Sequence, residues 1–87
     1  MMSGQPADSR ALLVDAGQSH DVFDVVEMTD SYLRVRTAFL FELGEEMKVR
    51  VEQNGAVFEV TARVLAHRGT GNDRITELEL SDRTAVP

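Results

Sequence analysis

Lys48-Val49-Arg50-Val51-Glu52-Gln53-Asn54-Gly55-Ala56-Val57-Phe58-Glu59-Val60-Thr61-Ala62-Arg63-Val64-Leu65-Ala66-His67 is the stretch that decides the fold. Up to Glu52 charged and branched apolar residues alternate, and the two-residue period of a strand puts Val49 and Val51 on one face. Asn54-Gly55 follows. Both residues tolerate the positive φ of a type I′ turn, so the pair between two alternating runs predicts a hairpin. On the return run Phe58, Val60, Ala62, Val64 and Ala66 share one face, while Glu59, Thr61, Arg63 and His67 share the other with Val57 and Leu65 among them. One wall of the hairpin is apolar and the other mostly wet. An isolated ribbon of two strands is marginal in water, so further strands have to cover the apolar wall.

The flanks supply them. Upstream, Leu33 and Val35 alternate with Arg34 and Arg36, preceded by the turn residues Thr29-Asp30-Ser31. Before that turn, Val22, Val26 and Met28 lie on one face of a further run and Phe23 and Val25 on the other. Ala11-Leu12-Leu13-Val14 is too short for a helix and is closed by Asp15-Ala16-Gly17-Gln18-Ser19, which reads as a first strand and its turn. Thr37 to Leu43, with Phe39, Leu40, Phe41 and Leu43, fits a helical turn or an extended corner capping a barrel end, and the corner is preferred. Downstream, Arg68 to Asp73 reads as a flexible loop before a last strand in which Thr76, Leu78 and Leu80 oppose Glu77 and Glu79. The expectation is an all-β fold, a small six-stranded antiparallel barrel over 10–83, with tails at 1–9 and 84–87. Its expected core is Val49, Val51, Phe58, Val60, Val64, Leu78 and Leu80.

Composition narrows the function. An 87-residue chain with 43% hydrophobic residues can bury one core, and it has no cysteine for disulfides or thiolate-bound zinc. A formal net charge of −6 argues against a nonspecific nucleic-acid binder, which needs clustered lysine and arginine. The apolar runs are too short for membrane insertion, and Met1 to Arg10 lacks the apolar core of a signal peptide, so a cytoplasmic protein is expected.

From Val25 to Asp82 the order of features resembles a PilZ domain, the six-stranded barrel of bacterial cyclic di-GMP signalling. Val26-Glu27-Met28-Thr29-Asp30-Ser31-Tyr32-Leu33-Arg34-Val35-Arg36-Thr37 is similar to the family's Asp-x-Ser-x-x-Gly turn and its Leu-Arg-Val-x-Thr continuation. Leu43-Gly44, Met47-Lys48-Val49-Arg50-Val51, Ala62-Arg63-Val64 and Glu77-Leu78-Glu79-Leu80-Ser81 follow in the order and spacing of the family's later strands. The resemblance implies a regulatory domain acting on another bacterial regulatory or motility protein.

Against that pattern the ligand motifs are eroded. Where the family has an Arg-x-x-x-Arg pair, this chain has Pro6-Ala7-Asp8-Ser9-Arg10, so only Arg10 remains to fork onto phosphate and Asp8 repels a dianion. Glu27 stands at the aspartate position, Thr29 at the serine and Tyr32 at the glycine, where a tyrosine would be strained if the backbone required positive φ. Losing one bidentate arginine removes about 1.5–3 kcal/mol of charged hydrogen bonds alone. The expected function is therefore a protein–protein interaction module with no bound cofactor, using Tyr32, Arg34, Arg36 and the Phe39 to Leu43 corner. The alternative is a cyclic di-GMP receptor using Arg10, Glu27 and Thr29. Tyr32 is expected to be at least partly exposed and to fill the ligand position.

Other constellations read plainly. His20 and His67 lie in different strands without cysteine or spaced carboxylates, so no metal site is expected. Ser19-His20-Asp21 holds the residue types of a hydrolytic triad, but neighbours in a strand point to opposite faces, and no enzyme is expected. Arg34, Arg36, Lys48 and Arg50 would form one basic stripe if their two strands paired, either a solubilising face or a dock for an acidic partner.

Overall fold

In a computed structural model of the protein, which describes residues 9–86, the hairpin forms as the sequence dictates. The strands are β1 (Ser9–Asp15), β2 (Gln18–His20), β3 (Asp24–Met28), β4 (Tyr32–Arg36), β5 (Glu46–Gln53), β6 (Ala56–Arg68) and β7 (Ile75–Ala85). Asn54 and Gly55 join β5 to β6 with φ of 53° and 83°, both exposed, as a type I′ turn requires. That turn sets the register Val49↔Val60 and Val51↔Phe58 across β5 and β6.

All seven strands form one antiparallel sheet in the order β2-β1-β5-β6-β7-β4-β3, curled into a half-barrel that brings β1 against β3. Every strand except β2 sends side chains into the single core: Ala11, Phe23 just ahead of β3, Val25, Leu33, Val35, Val49, Val51, Val60, Ala62, Val64, Leu78 and Leu80. Burying such a valine or leucine contributes about 1.5–3 kcal/mol, the term that offsets chain ordering in a domain this small.

The seventh strand is the difference from the sequence count of six. Ala16 and Gly17 adopt φ of 52° and 79°, a tight reversal that pairs Asp15 with Gln18 and Leu13 with His20. Alanine rarely occupies that region and Gln18-Ser19-His20 is polar and exposed, so neither a turn pair nor an alternating face announces β2. The tail expected from 84 is also shorter, because Thr84 and Ala85 pair with Glu59 and Phe58 and the Val86 amide donates to the Val57 carbonyl at 2.9 Å. The expectations for 1–8 and 87 lie outside the described residues.

Bulges interrupt the strands at three places and alter two of the predicted faces. An extra residue at Val26 opposite β4 lets Val25 enter the core and Met28, three positions on, pack against it too. In β6 the extra residue is Leu65, after which Ala66 opposes Glu77 and His67 opposes the buried Thr76. His67 therefore points inward, not along the wet face. Asp82, at φ 55°, carries the third irregularity and lets β7 continue past Val60. Phe58, expected in the core, is only half-buried: it sits near the open hairpin end, where the Arg83 guanidinium lies 4.8 Å above its ring.

Val60 is fully buried between β5 and β7. Val60→Ala should therefore lower unfolding free energy by about 1–3 kcal/mol in a urea titration. In the same assay Gly55→Val should cost more than Asn54→Asp, since open space around Gly55 removes any steric excuse and leaves the strained φ of 83° as the cause.

Candidate functional site

The outer wall of the sheet is a set of matched charges produced by register. Arg10 lies opposite Glu52, Arg50 opposite Glu59, and Arg63 opposite Glu79, giving ion pairs of 3.5, 3.6 and 3.1 Å. Lys48 donates to the Thr61 hydroxyl at 3.2 Å. Exposed pairs of this kind contribute about 0.2–1 kcal/mol each, but each one also occupies a guanidinium. The predicted basic stripe does not form. β6 and β7 separate β4 from β5, so Arg34 and Arg36 are not neighbours of Lys48 and Arg50.

Glu77 is the one buried acid among the described residues, and nothing in the sequence signals it beyond an alternating position. It accepts a hydrogen bond from Arg68 Nε at 3.2 Å and lies 3.5 Å from Arg34 Nε, while Arg34 Nη1 reaches Glu27 at 3.2 Å. Tyr32 stands beside the same cluster, half-exposed at the start of β4. Partial burial, then the phenol's donation to the Glu77 carboxylate and that carboxylate's charge, raise the Tyr32 phenol above its ordinary value of 10.0. Tyr32 is not among the positive-φ residues, so the strain expected at a glycine position is absent.

The residues expected to hold a nucleotide are otherwise engaged. Arg10 pairs with Asp21 at 3.6 Å as well as with Glu52, and Glu27 pairs with Arg34. Thr29 closes the β3–β4 turn: its amide donates to the Tyr32 carbonyl at 2.8 Å and its hydroxyl accepts the Ser31 amide at 3.4 Å. The turn links Glu27, Thr29, Tyr32 and Arg34 to one another, and Arg10 makes no ion pair or hydrogen bond with them. Pro6 and Asp8 lie outside the described residues.

The loop between β4 and β5 is the extended corner, and it is firmly held. The loop is irregular, so its backbone groups need partners from elsewhere. Arg74 Nη2 donates to the Thr37 and Phe39 carbonyls, both at 3.4 Å, and the His67 ring meets the Phe41 carbonyl at 2.7 Å. A carbonyl only accepts, so Nε2 donates there, and Nδ1 lies 3.0 Å from the Thr76 hydroxyl. Val64 exchanges backbone bonds with Gly44 and Glu45 at 2.8 and 2.9 Å. Phe41 packs inward, with its centroid 6.1 Å from Phe23 and 6.0 Å from Phe39.

What this holding presents to solvent is apolar. Phe39, Leu40 and Leu43 are 50, 69 and 66% exposed, and Leu65, pushed out by its bulge beside Val64, is 41% exposed. Next to Phe39 opens a cleft of about 800 Å³ between Asp21–Asp24, Arg36–Ala38 and the group Gly71, Asn72 and Arg74. Arg36, one of the expected contact residues, lines it. The cleft is of mixed charge, with Asp21 and Asp24 facing Arg36 and Arg74. Among the described residues no group of three or more His, Cys, Asp or Glu side chains is placed to hold a metal, and no helix is long and apolar enough to cross a membrane.

Tyr32 is the only tyrosine in a chain without tryptophan, so its ionisation can be followed directly by ultraviolet absorbance. Glu77→Gln should bring that titration down in pH, because the charge that opposes phenolate formation is removed. A phenol with a raised value favours the fold below pH 10 and withdraws that stability as pH climbs through the folded-state value, so the wild type should lose stability on the alkaline side more steeply than Tyr32→Phe. Compared with protein-family models, with curated proteins and with solved structures, the chain shows no match.

Proposed function

We propose that this chain is a PilZ-like regulatory domain of bacterial cyclic di-GMP signalling that works as a protein–protein interaction module in the cytoplasm. The observation that carries the reading is the corner: Phe39, Leu40 and Leu43 held out to water by a loop whose backbone is bonded to Val64, His67 and Arg74, with Leu65 of β6 exposed beside Val64. A rigid apolar surface loses little conformational entropy on docking, which is what a contact surface needs. The antiparallel half-barrel and the succession of motifs from Val25 to Asp82 support the family reading, and β2 is an addition to the six-strand pattern.

The same chain is poorly furnished for the nucleotide. Arg10 would have to leave Asp21 and Glu52 to reach a phosphate, Glu27 would have to leave Arg34, and Tyr32 occupies the glycine position of the turn. Freeing a guanidinium from two carboxylates adds a cost to binding that a pre-organised site does not bear. No cofactor or enzymatic activity is assigned: the Thr76 hydroxyl that lies 3.0 Å from His67 Nδ1 is buried.

Calorimetric titration with cyclic di-GMP should give no heat up to high micromolar ligand. Tight binding that disappears in Arg10→Ala would overturn the interaction-module reading in favour of a nucleotide receptor. The double variant Tyr32→Gly with Pro6→Arg restores both missing family elements, and measurable binding there alone would trace the loss to those positions.

A further inference from the structure

We infer that the corner's partner is a basic amphipathic helix, whose apolar face covers Phe39, Leu40, Leu43 and Leu65 and whose lysines or arginines face Glu42, Glu45 and Glu46. This rests on the interaction-module reading above and specifies its partner.

Charge is the first ground. Along the outer wall the acids have been matched by register: Glu52, Glu59, Glu79, Glu27 and Glu77 each face an arginine. At the corner the pattern breaks. Glu42, Glu45 and Glu46 are exposed, flank Leu43 closely in the chain, and among the described residues make no ion pair. Glu45 only caps the Glu42 amide at 3.0 Å, which leaves its charge unopposed. Arg63, opposite Glu46 in the β5–β6 register, is instead bonded to Glu79. Apolar side chains bordered by uncompensated acids fit apolar anchors bordered by cations, and like charges across such a contact are strongly disfavoured.

The backbone decides the form of the occupant. A partner strand would need free amide and carbonyl groups along the loop, but the Thr37, Phe39, Phe41 and Glu45 carbonyls and the Gly44 amide are already bonded within the chain. Recognition has to run through side chains, which is how an amphipathic helix seats its spaced apolar anchors. A second copy of this chain is a poor occupant. A two-fold contact through this face would set each protomer's acids against the same acids of its partner.

The probe is a labelled amphipathic helix made of leucine and lysine, titrated with the full chain by fluorescence anisotropy, beside a leucine–glutamate helix and a lysine-containing peptide of the same composition with its amphipathic order scrambled. Binding of the first alone, weakened by salt, is the expected result. Leu40→Ser with Leu43→Ser should abolish it; both are surface positions, and circular dichroism checks that the fold is kept. Glu42→Gln, Glu45→Gln and Glu46→Gln together keep the acceptor that caps Glu42 and should weaken binding about tenfold. The control is Asp15→Asn, Asp30→Asn and Asp82→Asn, which removes three exposed acids elsewhere and should leave binding within about twofold. Equal loss in the two triple variants would mean that the chain's general field, not the corner, attracts the peptide, and overturns the inference. Equal binding of the leucine–glutamate helix, still lost in the leucine variants, would keep the corner as a dock and refute its partner's chemistry. No binding of any helix, or concentration-dependent dimerisation removed by the leucine variants, overturns the helix outright. Heat with cyclic di-GMP is the separate result that would sink the interaction-module reading itself.

Discussion

The structure depends on the register of β6. This strand is the longest in the sheet, bonded to β5 along one side and to β7 along the other, and its position is pinned by one turn in which two adjacent residues take positive φ. A slip of one residue there would carry Val60, Ala62 and Val64 out of the core and Thr61 and Arg63 into it. It would also dismantle the outer wall, because Arg50 faces Glu59 and Arg63 faces Glu79 only in this register. Core and surface thus select the same alignment independently. The ion pairs add little stability individually, but the wrong register would place charge where the core now is, and that penalty is large.

Where an unbroken period of two would have failed, a bulge intervenes. At Leu65 the extra residue does two things at once: it expels a leucine to the surface and turns His67 inward, under the loop that follows β4. The imidazole then bridges the Thr76 hydroxyl and the Phe41 carbonyl, satisfying a buried hydroxyl and an irregular loop carbonyl together. The exposure of Leu65 and the part of the clamp made by His67 are consequences of one inserted residue. The bulge at Val26 works in the opposite sense, drawing Met28 toward the core and bringing Glu27 opposite Arg34.

The sequence was most legible where side-chain period and turn chemistry coincide. Asn54-Gly55 with its alternating flanks determined the central hairpin, and Val49, Val51, Val60, Val64, Leu78 and Leu80 are all buried as their phase requires. Legibility failed where the information is not local. β2 has no apolar face and turns on an alanine with φ 52°, so nothing in Gln18-Ser19-His20 distinguishes it from loop. Phe58 has the correct phase but lies too near the open end to be covered. The basic stripe assumed that consecutive strands pair, whereas strand order interposes β6 and β7. Arg10 could be singled out as a retained position and Tyr32 as a departure from the pattern the chain resembles, yet their real neighbours, Glu52 and Glu77, come from strands far along the chain.

Charge explains why the residual acidity of this chain gathers at its turns and loops. Within the sheet, an acid that opposed another acid would be destabilising, and the register has placed an arginine opposite most of them. Glu77 shows how far that matching goes, since an almost fully buried carboxylate is held between Arg34 and Arg68. Fifteen acids against nine lysines and arginines leave an excess that the ladder cannot absorb. Much of the excess lies at turns, strand ends and bulges, where no arginine pairs with it: at Asp15, at Asp30, at Asp73, at Asp82 and from Glu42 to Glu46. Only in the last of these does it adjoin exposed leucines. An apolar surface with a negative border is therefore the product of two independent constraints, a bulge that expels Leu65 while its neighbours fix the loop, and a sheet that spends its cations on itself.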